Sequence, residues 1–126
     1  MMQRNMDLVR MILLRLENPP SGGLPEDLGI KGYVPEKISY HVHIMEQEGL
    51  IEAEDESVLA DSERRSMPTT MTWQGHEFLD LARDQDRWNR AKAIVAKVGG
   101  GPISIWVKIL TDLAIKNVEN ATAQLK

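Results

Sequence analysis

The chain has no cysteine. That excludes disulfides, a thiolate nucleophile and thiolate metal sites, and it fits a reducing compartment. No stretch approaches the ~18 consecutive apolar residues that a membrane-spanning helix needs. The opening Met1-Met2-Gln3-Arg4-Asn5-Met6-Asp7 leads into an amphipathic pattern and not into the apolar core of a signal peptide. A cytoplasmic protein with no membrane association is therefore expected. Catalytic signatures are lacking too. There is no Gly-x-Ser-x-Gly elbow, and Gly99-Gly100-Gly101 lacks the Lys-Ser/Thr of a phosphate loop. The acids at Glu46, Glu48, Glu52, Glu54, Asp55 and Glu56 form a surface run and not a facing pair. His41 and His43 stand two apart, roughly 200° around a helix, and cannot share a metal. His76 and Asp80 have suitable spacing, but nothing supplies two further ligands. His41 and His76 read as half-buried, hydrogen-bonded histidines. No catalytic residue, metal or cofactor is expected, and an enzyme is not the reading.

Cations are scarce where they would matter most for nucleic acid. The chain is 126 residues long with a net charge of −4. Residues 36–65 hold only Lys37, Arg64 and Arg65 against nine acids. Residues 87–126 reverse this, with seven Lys or Arg against Asp112 and Glu119. DNA affinity rests largely on cations that neutralise phosphates, so the acidic middle opposes it and the basic end favours it.

An apolar fraction of 42% is enough for a core, and the pattern is organised around residues 35–51. Pro35 suits a first helical position, where its missing N–H costs nothing. Ile38, Val42 and Met45 recur at helical spacing. Gly49 stands where a left-handed stop belongs, and Leu50 would fold back on Met45. Lys37, Ser39, Tyr40 and His43 point away from that apolar face. A helix ending Glu48-Gly49-Leu50-Ile51 and running into a strand is similar to the recognition helix of a winged helix-turn-helix domain.

The rest of the chain fits around this helix. Residues 6–17 read as a helix with Leu8, Val9, Ile12, Leu13 and Leu16 on one face, capped by Asn5 or Asp7. The prolines and glycines of 18–34 leave room for a single turn at Leu24–Leu28, and Leu28–Tyr33 looks extended. The helix that normally precedes a recognition helix is thus reduced or replaced. Residues 50–55 and 66–72 read as a hairpin, with 55–66 as the wing. Thr72 caps the next helix, whose core face is Phe78, Leu79 and Ala82, joined by Trp73. A further helix runs through Trp88, Ala91, Ile94, Val95 and Val98 to the glycine hinge, and Pro102 begins the last. The expected class is mainly α with a small β-hairpin. A winged helix-turn-helix-like domain (1–86) precedes a helical extension (87–126). The last helix carries more apolar surface than one neighbour can cover. A homodimer is expected, with Ile105, Trp106, Ile109 and Leu113 at its contact.

Several blocks together resemble a known family, domain of unknown function twenty-five-thirteen. They include Met6-Asp7-Leu8-Val9-Arg10, Gly32-Tyr33, Ile38-Ser39-Tyr40-His41-Val42 and Glu48-Gly49-Leu50-Ile51. The most specific is Met71-Thr72-Trp73-Gln74-Gly75-His76-Glu77-Phe78-Leu79-Asp80, followed by Trp88-Asn89. The resemblance implies a small bacterial or prophage protein with a winged-helix-like first half, and it implies no activity. One departure stands at Val34, where a capping residue such as Ser is expected. The central helix is also similar to recognition helices of metal-sensor and multidrug-regulator repressors. The expected function is a DNA-binding transcriptional regulator that occupies a paired site on double-stranded DNA as a dimer. Ser39, Tyr40 and His43 would lie near base edges, with Lys37, Arg64 and Arg65 near phosphates. The alternative is a winged-helix module that binds a protein partner.

Overall fold

The computed structural model describes residues 3–25, 27–55 and 66–125. Five helices and one hairpin follow in the order α1 (Met6–Glu17), α2 (Pro35–Glu48), β1 (Ile51–Asp55), β2 (Ser66–Met71), α3 (Trp73–Ala82), α4 (Gln85–Lys97) and α5 (Ile103–Gln124). They form two compact units, Met1–Leu79 and Asp80–Lys126. The division falls inside α3.

In the first unit, α1 starts on Asn5, whose side chain accepts the Leu8 N–H at 3.2 Å. Leu8, Val9, Ile12 and Leu13 are buried, and Leu16, near the helix end, is half-buried. The helix α2 starts with no side-chain cap at Val34 and with Pro35 in its first turn, as the sequence suggested. Gly49 ends it in the left-handed region (φ 87°, ψ 17°). The Gly49 N–H then reaches Glu46 O and the Leu50 N–H reaches Met45 O, both at 3.0 Å. These two bonds satisfy carbonyls the helix would otherwise leave open. Leu50 and Ile51 are buried, so the stop also turns the chain into the core.

Between α1 and α2 the described residues contain neither a helix nor a strand. The extended stretch expected at 28–33 is instead a tight turn. The Leu28 N–H bonds Pro25 O and the Ile30 N–H bonds Asp27 O, each at 2.9 Å. Leu28 takes a left-handed φ of 55°, uncommon for a residue with a side chain. Burial holds it there, since Leu28 and Ile30 are both within the core. Arg15 adds a bond from Nη2 to Gly29 O at 3.2 Å. The turn plugs the core where a helix would ordinarily lie.

The strands β1 and β2 pair antiparallel from Ile51↔Met71 to Asp55↔Ser66. The partner of Glu52 is Thr70, and that of Ala53 is Pro68, so β2 carries one extra residue there. Pro68 has no N–H to give, which suits an edge strand. The Ala53 N–H instead donates to Glu46 Oε2 at 2.9 Å, fastening the hairpin to α2.

The start of α3 is pressed against the turn after α2. The Thr72 N–H bonds Leu50 O at 3.0 Å, and the Thr72 hydroxyl donates to Gly49 O. Its oxygen also accepts the Gly75 N–H at 3.1 Å, which makes Thr72 the cap of α3. Gly75 is buried there. Phe78, Leu79 and Ala82 are buried as expected. Trp73 was expected to join them but is 77% exposed, its Nε1–H donating to Glu77 Oε1 at 2.8 Å. The close seating of Gly75 turns that face of the helix inward and Trp73 outward.

In the second unit Asp84 caps α4, accepting the Arg87 N–H at 2.8 Å. Trp88 stacks on Trp106 with centroids 4.8 Å apart and planes 26° from parallel. Ala91, Val95 and Leu110 complete this small core. Gly99 and Gly100 close α4 with φ near 85°, 83° and 87° respectively, and the Gly100 N–H bonds Val95 O at 2.9 Å. The guanidinium of Arg87 links helix to helix. Its Nε and Nη2 donate to Asn117 Oδ1 at 3.2 and 3.1 Å, and its Nη1 donates to Leu81 O at 3.2 Å.

Candidate nucleic-acid interface

The residues singled out on α2 divide by what holds them. Ile38, Val42 and Met45 are buried, and the helix packs on α1 and on both strands. Tyr40 is exposed, and its ring meets the edge of the His41 ring at 5.9 Å and 80°. His43 is half-buried. Lys37 places its ammonium 5.6 Å from the centroid of the Tyr33 ring, a cation–π contact that draws it toward the start of the helix. Ser39 is committed to the scaffold: its Oγ accepts the Ser66 N–H at 2.8 Å. That bond joins α2 to the first residue of the returning wing strand. Arg64 and Arg65 lie outside the described residues.

His41 holds the helix in place. It is wholly buried, whereas His76 is exposed, so neither is half-buried as expected. Its Nε2 lies 2.8 Å from the Asn5 backbone nitrogen, a group that only donates. Nε2 is therefore the acceptor, and Nδ1 carries the proton toward Lys37 O, also at 2.8 Å. The ring is neutral in this arrangement. Burial pushes its pKa below the ordinary histidine value against the hydrogen bond to the Lys37 carbonyl, and the Lys37 and Arg4 cations lower it further. The bond ties the cap of α1 to the middle of α2 across 36 residues. Sequence spacing gave no sign of that pairing, because neither Asn5 nor His41 belongs to a local motif.

Charge is uneven along this surface. Glu36, Glu46 and Glu48 are exposed on α2, and Glu52, Glu54 and Asp55 on β1. All but Glu36 gather at the C-terminal end of α2 and along the first wing strand. Lys37, Ser39, Tyr40 and His43 occupy the N-terminal and middle turns. Among the described residues no group of three His, Cys, Asp or Glu could hold a metal ion. No helix of the described residues is long and apolar enough to cross a membrane.

Of the α5 residues expected at a dimer contact, Trp106 is buried against Trp88, Ile109 and Leu113 are half-buried, and Ile105 is exposed. Trp106 is thus used within the second unit.

A family model described as "Hypothetical protein (DUF2513)" matches residues 3–102, from the approach to α1 through the glycine turn before α5. An "Uncharacterized protein" of Haemophilus influenzae (strain ATCC 51907 / DSM 11121 / KW20 / Rd) is 43% identical over 96 residues, covering 75% of this chain and 79% of that protein. No solved structure matches.

Proposed function

The chain belongs to the family of hypothetical proteins DUF2513, and on that footing we propose that its first unit is a winged-helix DNA-binding module of a transcriptional regulator. One observation carries the reading. The helix α2 is held on its inner face, at its middle by His41 and at its C-terminal end by the Gly49 turn, and its N-terminal and middle turns direct Lys37, Tyr40 and His43 away from the buried residues. A recognition helix enters the major groove by that half. Tyr40 and His43 would read base edges and Lys37 would meet phosphate, with Arg64 and Arg65 of the wing adding phosphate contacts. Ser39 would act by fixing the wing strand to the helix. The regulator would work by occupying its site, without chemistry.

A second reading, a protein-binding winged helix, is favoured by the exposed acids of β1, Glu52, Glu54 and Asp55. They would face phosphates if the wing lay along a duplex. A salt titration of binding to duplex DNA separates the two. Phosphate contacts give a steep slope, and removing Arg64 and Arg65 flattens it by about two. Tyr40→Ala should cost roughly 1–3 kcal/mol on a specific site. No salt-sensitive retention of any duplex at low ionic strength would sink the DNA reading. Pull-downs compared between wild type and Tyr40→Ala would then test the same face against protein.

A further inference from the structure

Two side-chain bonds fasten α2 to its neighbours, and they sit on opposite flanks of its outer face. On one flank Ser39 Oγ accepts the Ser66 N–H at 2.8 Å, which brings the returning wing strand alongside. On the other, His41 Nε2 accepts the Asn5 N–H at 2.8 Å, which brings the start of α1 alongside. Ser39 and His41 are two residues apart, about 200° around the helix. Tyr40 and His43 lie between the two flanks, on the side away from Ile38, Val42 and Met45.

The flanks differ in charge. Beside Ser39 stand Glu46, whose Oε2 accepts the Ala53 N–H, and the exposed acids of β1, Glu52, Glu54 and Asp55. Beside His41 stand two cations. Lys37 is one turn before it on the same flank. Arg4 is exposed and adjoins Asn5, whose N–H makes the bond. Both cations lower the pKa of the His41 ring, so both are near it. The acids on this side are Asp7 in the first turn of α1, Glu36 in the first turn of α2, and Glu48. Glu48 is about 16 Å beyond Lys37 by the rise of the helix.

A major groove about 12 Å wide admits an α-helix, so a helix lying in it has a sugar-phosphate backbone along each flank. We propose that Arg4 is a phosphate-binding residue that, with Lys37, meets the DNA backbone on the Asn5 side of α2, across the groove from the wing. The proposal rests on the DNA reading and adds to it a contact from the start of α1. The buried bond from Asn5 to His41 sets the position, because it ties the residue beside Arg4 to the middle of α2. Arginine suits the role, since its planar fork of donors matches phosphate oxygens. Arg4 also interacts within its own chain; an exposed interaction of that kind is weak and can be exchanged for phosphate.

Salt titrations against a random-sequence duplex test this, run on the wild type, Arg4→Gln, Arg4→Lys and Arg15→Gln. Each phosphate contact contributes about 0.9 to the slope of log K against log salt. Arg4→Gln should flatten the slope by about one, and Arg4→Lys should restore it. Arg15 is exposed as well, at the far end of α1, about 15 Å away by the rise of the helix. Arg15→Gln therefore makes the same change in net charge and should leave the slope as it is. Arg4→Gln should also keep the wild-type urea midpoint, because the bond between Asn5 and His41 is made by backbone and ring. A wild type that binds no duplex overturns the DNA reading and this contact with it. A salt-sensitive wild type whose slope Arg4→Gln leaves unchanged overturns the contact alone. Equal flattening in Arg4→Gln and Arg15→Gln would show net charge at work and overturn it too.

Discussion

Replacing Gly75 with alanine should destabilise the first unit, although alanine is ordinarily the better helix former by about 1 kcal/mol. Gly75 lies in the first turn of α3 with no left-handed backbone to protect, so conformation alone would favour the change. Space does not. A methyl group built there overlaps the Leu50 carbonyl oxygen and comes within 2.7 Å of Met71 Cγ and 3.1 Å of the Leu50 carbonyl carbon. The Leu50 carbonyl is backbone, fixed by the turn after α2, and cannot swing aside. The helix start must move instead. That strains a packed core by roughly 1–3 kcal/mol. It also loosens the bonds from Thr72 to Leu50 O and Gly49 O, worth about 1 kcal/mol each. After the helical gain is subtracted, a net loss of about 2–4 kcal/mol remains, on the order of 10 °C in Tm. Urea and thermal unfolding followed by circular dichroism would measure it. Gln74→Ala, exposed on the same turn, is the control and should change stability by less than about 0.5 kcal/mol. If Gly75→Ala were as stable as the wild type, the contact with Leu50 would not be what selects glycine there.

Three other perturbations test the scaffold. The unfolded chain takes up a proton on His41 near pH 6.5, before the folded chain does. The His41 contribution is therefore full above that pH and falls as the solution is acidified. Urea midpoints between pH 7.5 and 5 should show this drop, and His41→Phe, less stable overall, should show a shallower one; equal slopes would count against a neutral buried ring. Arg87→Ala should cost the second unit roughly 1–3 kcal/mol through lost charged hydrogen bonds. Arg87→Lys should recover little of it, because an ammonium cannot reproduce the fork, and full thermal rescue by lysine would refute that account. Val42→Asp buries an unpaired carboxylate against α1 and should abolish cooperative unfolding; a soluble variant with a sharp transition would mean the inner face of α2 is misassigned.

The elements themselves were written locally. Helix α2 begins at Pro35 and stops at Gly49 because both signals act within about one turn, through a missing N–H and a left-handed residue. The limits of α1 and the two hairpin strands were legible for the same reason, as was the inner face of α2. Single side chains were decided at longer range. Gly75 is needed because Leu50 O lies against it, His41 is neutral because Asn5 donates to it, and Leu28 is left-handed because the core takes its side chain. Trp73 and Trp106 make the contrast plain. Both are large and apolar and sit on helices, yet one is exposed and the other stacked on Trp88. Periodicity marks which residues share a helix face. Which face is buried depends on what the fold brings against it, and on α5, apolar on more than one side, only packing against α4 made the choice.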